Sequence, residues 1–70
     1  MIVTVIRNDG PTSLIECEQI TKEVTDEKAI IECWSADELV ERIVLAFEKA
    51  DVYISNSDGK TVDAIHFKGG

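Results

Sequence analysis

The stretch Trp34-Ser35-Ala36-Asp37-Glu38-Leu39-Val40-Glu41-Arg42-Ile43-Val44-Leu45-Ala46-Phe47-Glu48-Lys49-Ala50 decides the fold class of this 70-residue chain. Its first residues have the spacing of a capping box: the Ser35 hydroxyl accepts from the Glu38 amide, and the Glu38 carboxylate reaches back to the Ser35 amide. Trp34 and Leu39 flank the cap at the separation of a hydrophobic staple. Asp37 and Glu38 suit the positive end of a helix dipole. Beyond the cap, Leu39, Ile43, Phe47 and Ala50 form an apolar stripe at helical spacing, flanked by Val40, Val44 and Ala46. Glu38 and Arg42 make an i,i+4 pair on the other side. This pattern predicts a helix from about residue 36 to 50.

Outside that segment the chain reads as strands. Residues 1–7 are an apolar, Val- and Ile-rich run, the pattern of a strand buried on both faces at the centre of a sheet. Asn8 to Ser13 is a loop, with Asp9-Gly10 supplying a turn and Pro11 unable to donate to a ladder. Leu14 to Val24 alternates with one fault: Ile15 and Cys17 share one parity, Ile20 and Val24 the other. A β-bulge near Glu18-Gln19 would bring all four to one face. Thr25 to Lys28 turns the chain into a strand from Ala29 to Trp34. Val52 to Ser55 and Thr61 to Phe67 form a hairpin about Ser57-Asp58-Gly59, with Ile54 opposite Val62 and Val52 opposite Ala64. The expected fold is a single α+β domain over residues 1–70, β-β-β-α-β-β, with one antiparallel sheet, one helix on one of its faces and residues 68–70 as a tail.

A fifteen-residue helix is about 22 Å long and covers one face of such a sheet. The other face retains Val3, Val5, Trp34, Tyr53, Ile65 and Phe67, an apolar extent that monomers seldom expose. These six residues are the candidate dimer face, and a homodimer is the expected assembly.

Fourteen acidic against seven basic residues give a net charge of −7. That balance argues against direct nucleic-acid binding, which relies on Lys and Arg to release phosphate counterions. No apolar run reaches the eighteen or so residues of a membrane span, and no signal peptide is expected at the start. The whole net charge lies between residues 16 and 41, where nine acids face two lysines, and both flanks are neutral. The candidate partner-binding patch is Glu16, Glu18, Glu23, Asp26, Glu27, Glu32, Asp37, Glu38 and Glu41. A concentrated negative potential steers a domain onto a basic protein surface, including the nucleic-acid channel of an enzyme. By analogy of size and charge, the expected function is that of a small acidic inhibitor from a phage or mobile element, mimicking nucleic acid in an anti-defence role.

Catalytic and metal chemistry find little footing in the composition. His66 is the single histidine, and Cys17 and Cys33 are sixteen positions apart. Neither a nucleophile triad nor a ligand cluster at metal spacing can be assembled from them. The expectation is therefore no enzyme activity, no catalytic or metal-binding residue and no cofactor. Two cysteines in so short a chain favour a reducing cytoplasm and buried free thiols, with a single cross-strand disulfide as the alternative.

The residues Asp58-Gly59-Lys60-Thr61-Val62-Asp63-Ala64-Ile65-His66-Phe67-Lys68-Gly69-Gly70 resemble the end of a small sulfur carrier or ubiquitin-like modifier. That resemblance covers thirteen residues. It implies a β-grasp fold whose Gly69-Gly70 tail enters an activating enzyme, although the extra strand at Ala29–Trp34 departs from that pattern. A structural subunit acting as a homo-oligomer is a further alternative.

Overall fold

A computed structural model describes residues 1–46 and 48–68. They form seven strands: β1 (Ile2–Arg7), β2 (Ser13–Glu16), β3 (Gln19–Val24), β4 (Lys28–Ser35), β5 (Glu38–Ala46), β6 (Ala50–Ser55) and β7 (Thr61–Phe67). The strands make two antiparallel sheets, one ordered β2-β1-β6-β7 and the other β3-β4-β5. There is no helix among the described residues, so the fold is all-β and the expected α+β architecture is incorrect. Phe47, Gly69 and Gly70 lie outside the described residues, including the last two positions of the carrier-like tail. The β-grasp fold that this tail implies needs a helix and is not the fold found.

The expected helix is a hairpin arm. Ser35 pairs with Glu38, leaving Ala36 and Asp37 as a two-residue turn with φ of 52° and 62°. Two consecutive left-handed residues are the backbone of a type I′ turn, whose twist matches that of the flanking strands. The capping box and staple therefore do not form, and Trp34 pairs with Leu39 across the ladder. Arg42 lies opposite Glu32 on β4 and has no helical partner in Glu38.

Why a strand prevails follows from the alternation on both arms. Ala29, Ile31 and Cys33 of β4 are buried, as are Ile43 and Leu45 of β5. They share one face, because Ala29 pairs with Leu45 and Ile31 with Ile43. The β-branched Val40, Ile43 and Val44 suit a pleated surface. A bulge on β5, opposite the Cys33/Trp34 step of β4, leaves Val40 without a direct partner, and Leu39 and Val40 remain exposed.

The core lies between the two sheets. Val3, Val5, Val52 and Ile54 from the four-stranded sheet meet Ile31, Cys33, Ile43 and Leu45 from the other. A second sheet supplies the cover expected of a helix: its inner face is apolar along β4, with Lys22 and Glu41 at its margins on β3 and β5. β1 is central as expected, yet it is buried on one face only: Ile2 and Ile6 point outward and are exposed.

The parity fault between Cys17 and Ile20 marks a change of sheet. The Cys17 amide donates to the Met1 carbonyl at 2.9 Å, and the Met1 ammonium donates to the Cys17 carbonyl at 2.7 Å, continuing the first sheet. One residue later the Glu18 amide donates to the Trp34 carbonyl at 2.9 Å, in the second sheet. Ile15, Cys17, Ile20 and Val24 still share the inward parity, here through a crossover. In the last hairpin a register shift at Ile54/Ser55 places Ile54 opposite Asp63 and Val52 opposite Ile65. That is one residue away from the expected pairing, and it leaves Val62 out of the ladder and exposed.

Candidate functional site

Nine acids contiguous in sequence separate in space. The β4 strand runs from the β3–β4 turn at one end of the molecule to the β4–β5 turn at the other, a span of about 23 Å for seven residue steps. Glu16, Glu18, Asp37 and Glu38 gather at the second end. Glu16, Glu18 and Ser35 line one hollow together with Met1 and Cys17, and Glu18 and Asp37 line an adjoining one with Gln19, Trp34 and Ala36. Two chain segments converge there: the continuous run from the end of β2 through the crossover, and the β4–β5 turn.

Local chemistry fixes that convergence. The Glu18 amide donates to the Ser35 Oγ at 3.2 Å as well as to the Trp34 carbonyl, so the crossover is tied to the start of the turn. Ser35, which the sequence suggests as a helix cap, caps a neighbouring segment. The signal that would have assigned this role is the parity fault at Cys17-Glu18, which marks where the chain changes sheets. The β6–β7 turn reaches the same end, since Ile2 pairs with both Glu16 and Ser55. It contributes one acid and one base, Asp58 and Lys60.

Glu23, Asp26 and Glu27 occupy the opposite end. Thr25 shapes this turn: its Oγ1 accepts from the Glu27 amide at 3.3 Å and the Lys28 amide at 3.2 Å. Asp26 shares its hollow with His66 and Lys68, and Lys28 follows in the chain, so cations stand among these acids. Glu32 lies mid-strand on the outer face, 4.0 Å from the Arg42 Nε. Glu41 has the inward parity, opposite Cys33 at the margin of β5.

Cations offset the two clusters unevenly. The ion pairs among the described residues are Arg7–Glu48, Lys22–Asp63, Arg42–Glu32 and His66–Asp51. None involves Glu16, Glu18, Asp37 or Glu38, and none involves Glu23, Asp26 or Glu27. The difference lies in the cations nearby: Lys28 and Lys68 stand among three acids at one end, while the Met1 ammonium and Lys60 stand among five, counting Asp58, at the other. With a screening length of about 8 Å at physiological salt, clusters about 23 Å apart act independently on a partner. The crossover end is thus the part of the candidate patch with the larger surplus of negative charge.

The six residues of the candidate dimer face do not share a face. Val3 and Val5 are fully buried between the sheets, Phe67 is buried and Ile65 packs against the core. Trp34 and Tyr53 lie on the outer faces of different sheets, with the Trp34 indole N–H directed at the Thr21 Oγ1 at 3.4 Å. Sheet-on-sheet packing takes up the apolar surplus that suggested a dimer.

Cys17 and Cys33 are both buried free thiols. Burial, a hydrogen bond with Cys17 and the nearby Cys17 and Glu41 charges push the Cys33 thiol up to about 12. A thiol held neutral in this way is a core residue and a poor nucleophile. No group of three or more His, Cys, Asp or Glu among the described residues is arranged to hold a metal ion. No helix among them is long and apolar enough to cross a membrane.

Fold and surface together define a small two-sheet β domain with one acidic end. The chain matches no family model, and neither a curated protein nor a solved structure shows significant similarity to it.

Proposed function

We propose that this domain is a non-enzymatic binding protein that engages a basic protein surface through its acidic crossover end. One observation carries the reading: Glu16, Glu18, Asp37 and Glu38 come together at one end from two chain segments, none is ion-paired among the described residues, and they outnumber the cations there, the Met1 ammonium and Lys60. Separated carboxylates on a rigid β scaffold present negative charge in the manner of phosphates, which supports an inhibitor acting on a nucleic-acid-binding protein. A reducing cytoplasm fits the paired, unbridged thiols of this reading.

Affinity capture from a lysate at low salt, with mass-spectrometric identification, supplies the partner for the test. Reversing Glu16, Glu18, Asp37 and Glu38 to Lys should abolish binding to it. Reversing Glu23, Asp26 and Glu27 to Lys should leave most of the affinity. Binding should also weaken steadily between about 50 and 500 mM salt. Equal loss from the two sets of reversals, or affinity independent of salt, refutes the proposal.

Self-association keeps one supporting observation, on residues other than those first considered. Ile2, Ile6 and Leu14 are exposed on the outer face of the four-stranded sheet, where Leu14 and Tyr53 flank Thr4. Sedimentation at micromolar concentration tests it, and a 7.8 kDa species refutes it.

A further inference from the structure

A second site lies on the flank where the two sheets leave an open groove. β2 is an edge strand of one sheet and β5 of the other, and a groove of about 600 Å³ runs between them. Val5 and Ile43 lie almost fully buried beneath it; half-buried Ile15 and exposed Leu14 and Val44 give it its accessible apolar surface, and Glu41 stands toward one end. The chain has two arginines: Arg7 has the inward parity of Val3 and Val5 and lines this groove, while Arg42 borders it on β5 with its side chain on the outer face toward Glu32.

Neither guanidinium donates a hydrogen bond to a protein acceptor among the described residues. The carboxylates facing them, Glu48 and Glu32, stand 4.0 Å from the respective Nε atoms, beyond hydrogen-bonding distance. The Arg7 Nε is moreover buried without a partner. An unengaged buried donor on a charged group is costly, and a planar guanidinium is shaped to be satisfied by a carboxylate. The β5 edge adds unpaired backbone groups along one wall, the template to which an extended peptide adds as a strand.

We propose that the groove binds an extended peptide segment of a partner, laid along β5, with alternate apolar side chains against Leu14, Ile15 and Val44 and one carboxylate side chain on Arg7. Glu41 lies toward the other end of the groove and repels a second acid there, so the acidic residue of the peptide sits at the end formed by Arg7 and Ser13. The site is separate from the acidic crossover end, and its test does not depend on that reading.

Selection of nine-residue peptides from a random library against the full chain provides the probe. The peptides recovered should carry a single Asp or Glu among alternating apolar residues. They should perturb the backbone amide signals of residues 13–15 and 41–44. Changing the acid of a recovered peptide to its amide should weaken binding about tenfold or more, as should Arg7→Gln. In the double-mutant cycle these two losses should not add. Arg7→Lys, which keeps the charge and removes the Nε–H, should recover only part of the loss; where Arg7→Gln fails to fold, it and the peptide amide carry the test. The proposal is overturned by selected peptides without an acid, by binding unchanged in the Arg7 variants or by signal changes confined to another face. It is equally overturned if no peptide binds more tightly than about millimolar, or if a second copy of the chain occupies the β5 edge.

Discussion

Replacing the β4–β5 turn should stabilise the protein, and the sign of the effect separates a strand from a helix at residues 38–46. Ala36 and Asp37 have φ of 52° and 62°. A β-carbon in this region costs about 1–2 kcal/mol, less where an Asn or Asp side chain bonds locally. Ala36 has no such compensation. In Ala36→Asn/Asp37→Gly the turn becomes Asn-Gly, the preferred type I′ pair. Glycine widens the unfolded ensemble, at a cost of about 0.4–1 kcal/mol. The net gain should be about 1–2 kcal/mol, or about 4–8 °C in Tm for each kcal/mol in a domain of this size. Urea unfolding followed by far-UV circular dichroism reads it as a higher midpoint at unchanged slope. On a helix the same changes would fall in the first turn, and they would cost about 0.5–1 kcal/mol each. Asp37→Gly also removes a carboxylate close to Glu18 and Glu38. Ala36→Asn alone, which leaves the charge unchanged, must therefore raise the midpoint by itself. A lower midpoint for Ala36→Asn, or a gain of helical signal, refutes the hairpin.

Other consequences of the fold are open to the same methods. Leu45→Ala removes a fully buried side chain and should cost about 2–5 kcal/mol. Leu39→Ser, at a position 45% exposed, should cost less than about 1 kcal/mol, and the reverse order in chemical denaturation refutes the strand assignment. Cys33 should resist alkylation at pH 8 until the protein unfolds. Its thiol is held at about 12 in the fold against an ordinary 9.0, so the unfolded chain releases its proton first as pH rises. The associated stability is complete below pH 9 and declines between pH 9 and 12. A urea midpoint that falls no more than that of Cys33→Ala across this window refutes the assignment. Lys22 and Asp63 join the margins of the two sheets, β3 to β7, with both side chains about 40% exposed. Asp63→Asn should therefore cost at most about 1 kcal/mol, less at high salt, and a larger loss in the same assay counts against a screened surface pair.

Most of the strands were legible in the sequence because each carries one unambiguous period. Ala29, Ile31 and Cys33 alternate strictly, as do Val52 and Ile54, and no helical stripe competes with them. Residues 39–46 satisfy both periods, since Leu39 and Ile43 stand one helical turn apart while Ile43 and Leu45 stand two residues apart. The neighbouring Ser-x-x-Glu motif then tips the local reading toward a helix, and the turn lacks the glycine that would announce a hairpin. What decides the matter is non-local. The inner face of the four-stranded sheet needs an apolar cover, and β4 carries its complement only if β5 continues the same alternation beside it. Tertiary context overrides local propensity here, as it does wherever the local preference amounts to a few tenths of a kcal/mol per residue.

The candidate site was less legible, for a reason rooted in the same fold. Charge counted along the sequence treats neighbouring residues as neighbours in space, which holds on a helix over a few turns. On a hairpin it fails in a particular way. Residues near the turn stay together, while residues at the middle and far ends of the arms are carried away at about 3.3 Å per step. Asp37 and Glu38 are therefore close, whereas Glu27 is moved to the other end of β4 and Glu32 is matched with Arg42 on the adjacent strand. Glu16 and Glu18 rejoin Asp37 because the crossover brings the end of β2 beside the end of β4. Arginine shows the same effect: Arg7 and Arg42 are thirty-five positions apart, yet the packing of two sheet edges brings both to the border of one groove, Arg7 facing inward and Arg42 outward toward Glu32. Once the helix is replaced by a hairpin, a single acidic segment becomes an acidic end and a separate flank where Arg7 lines an open groove.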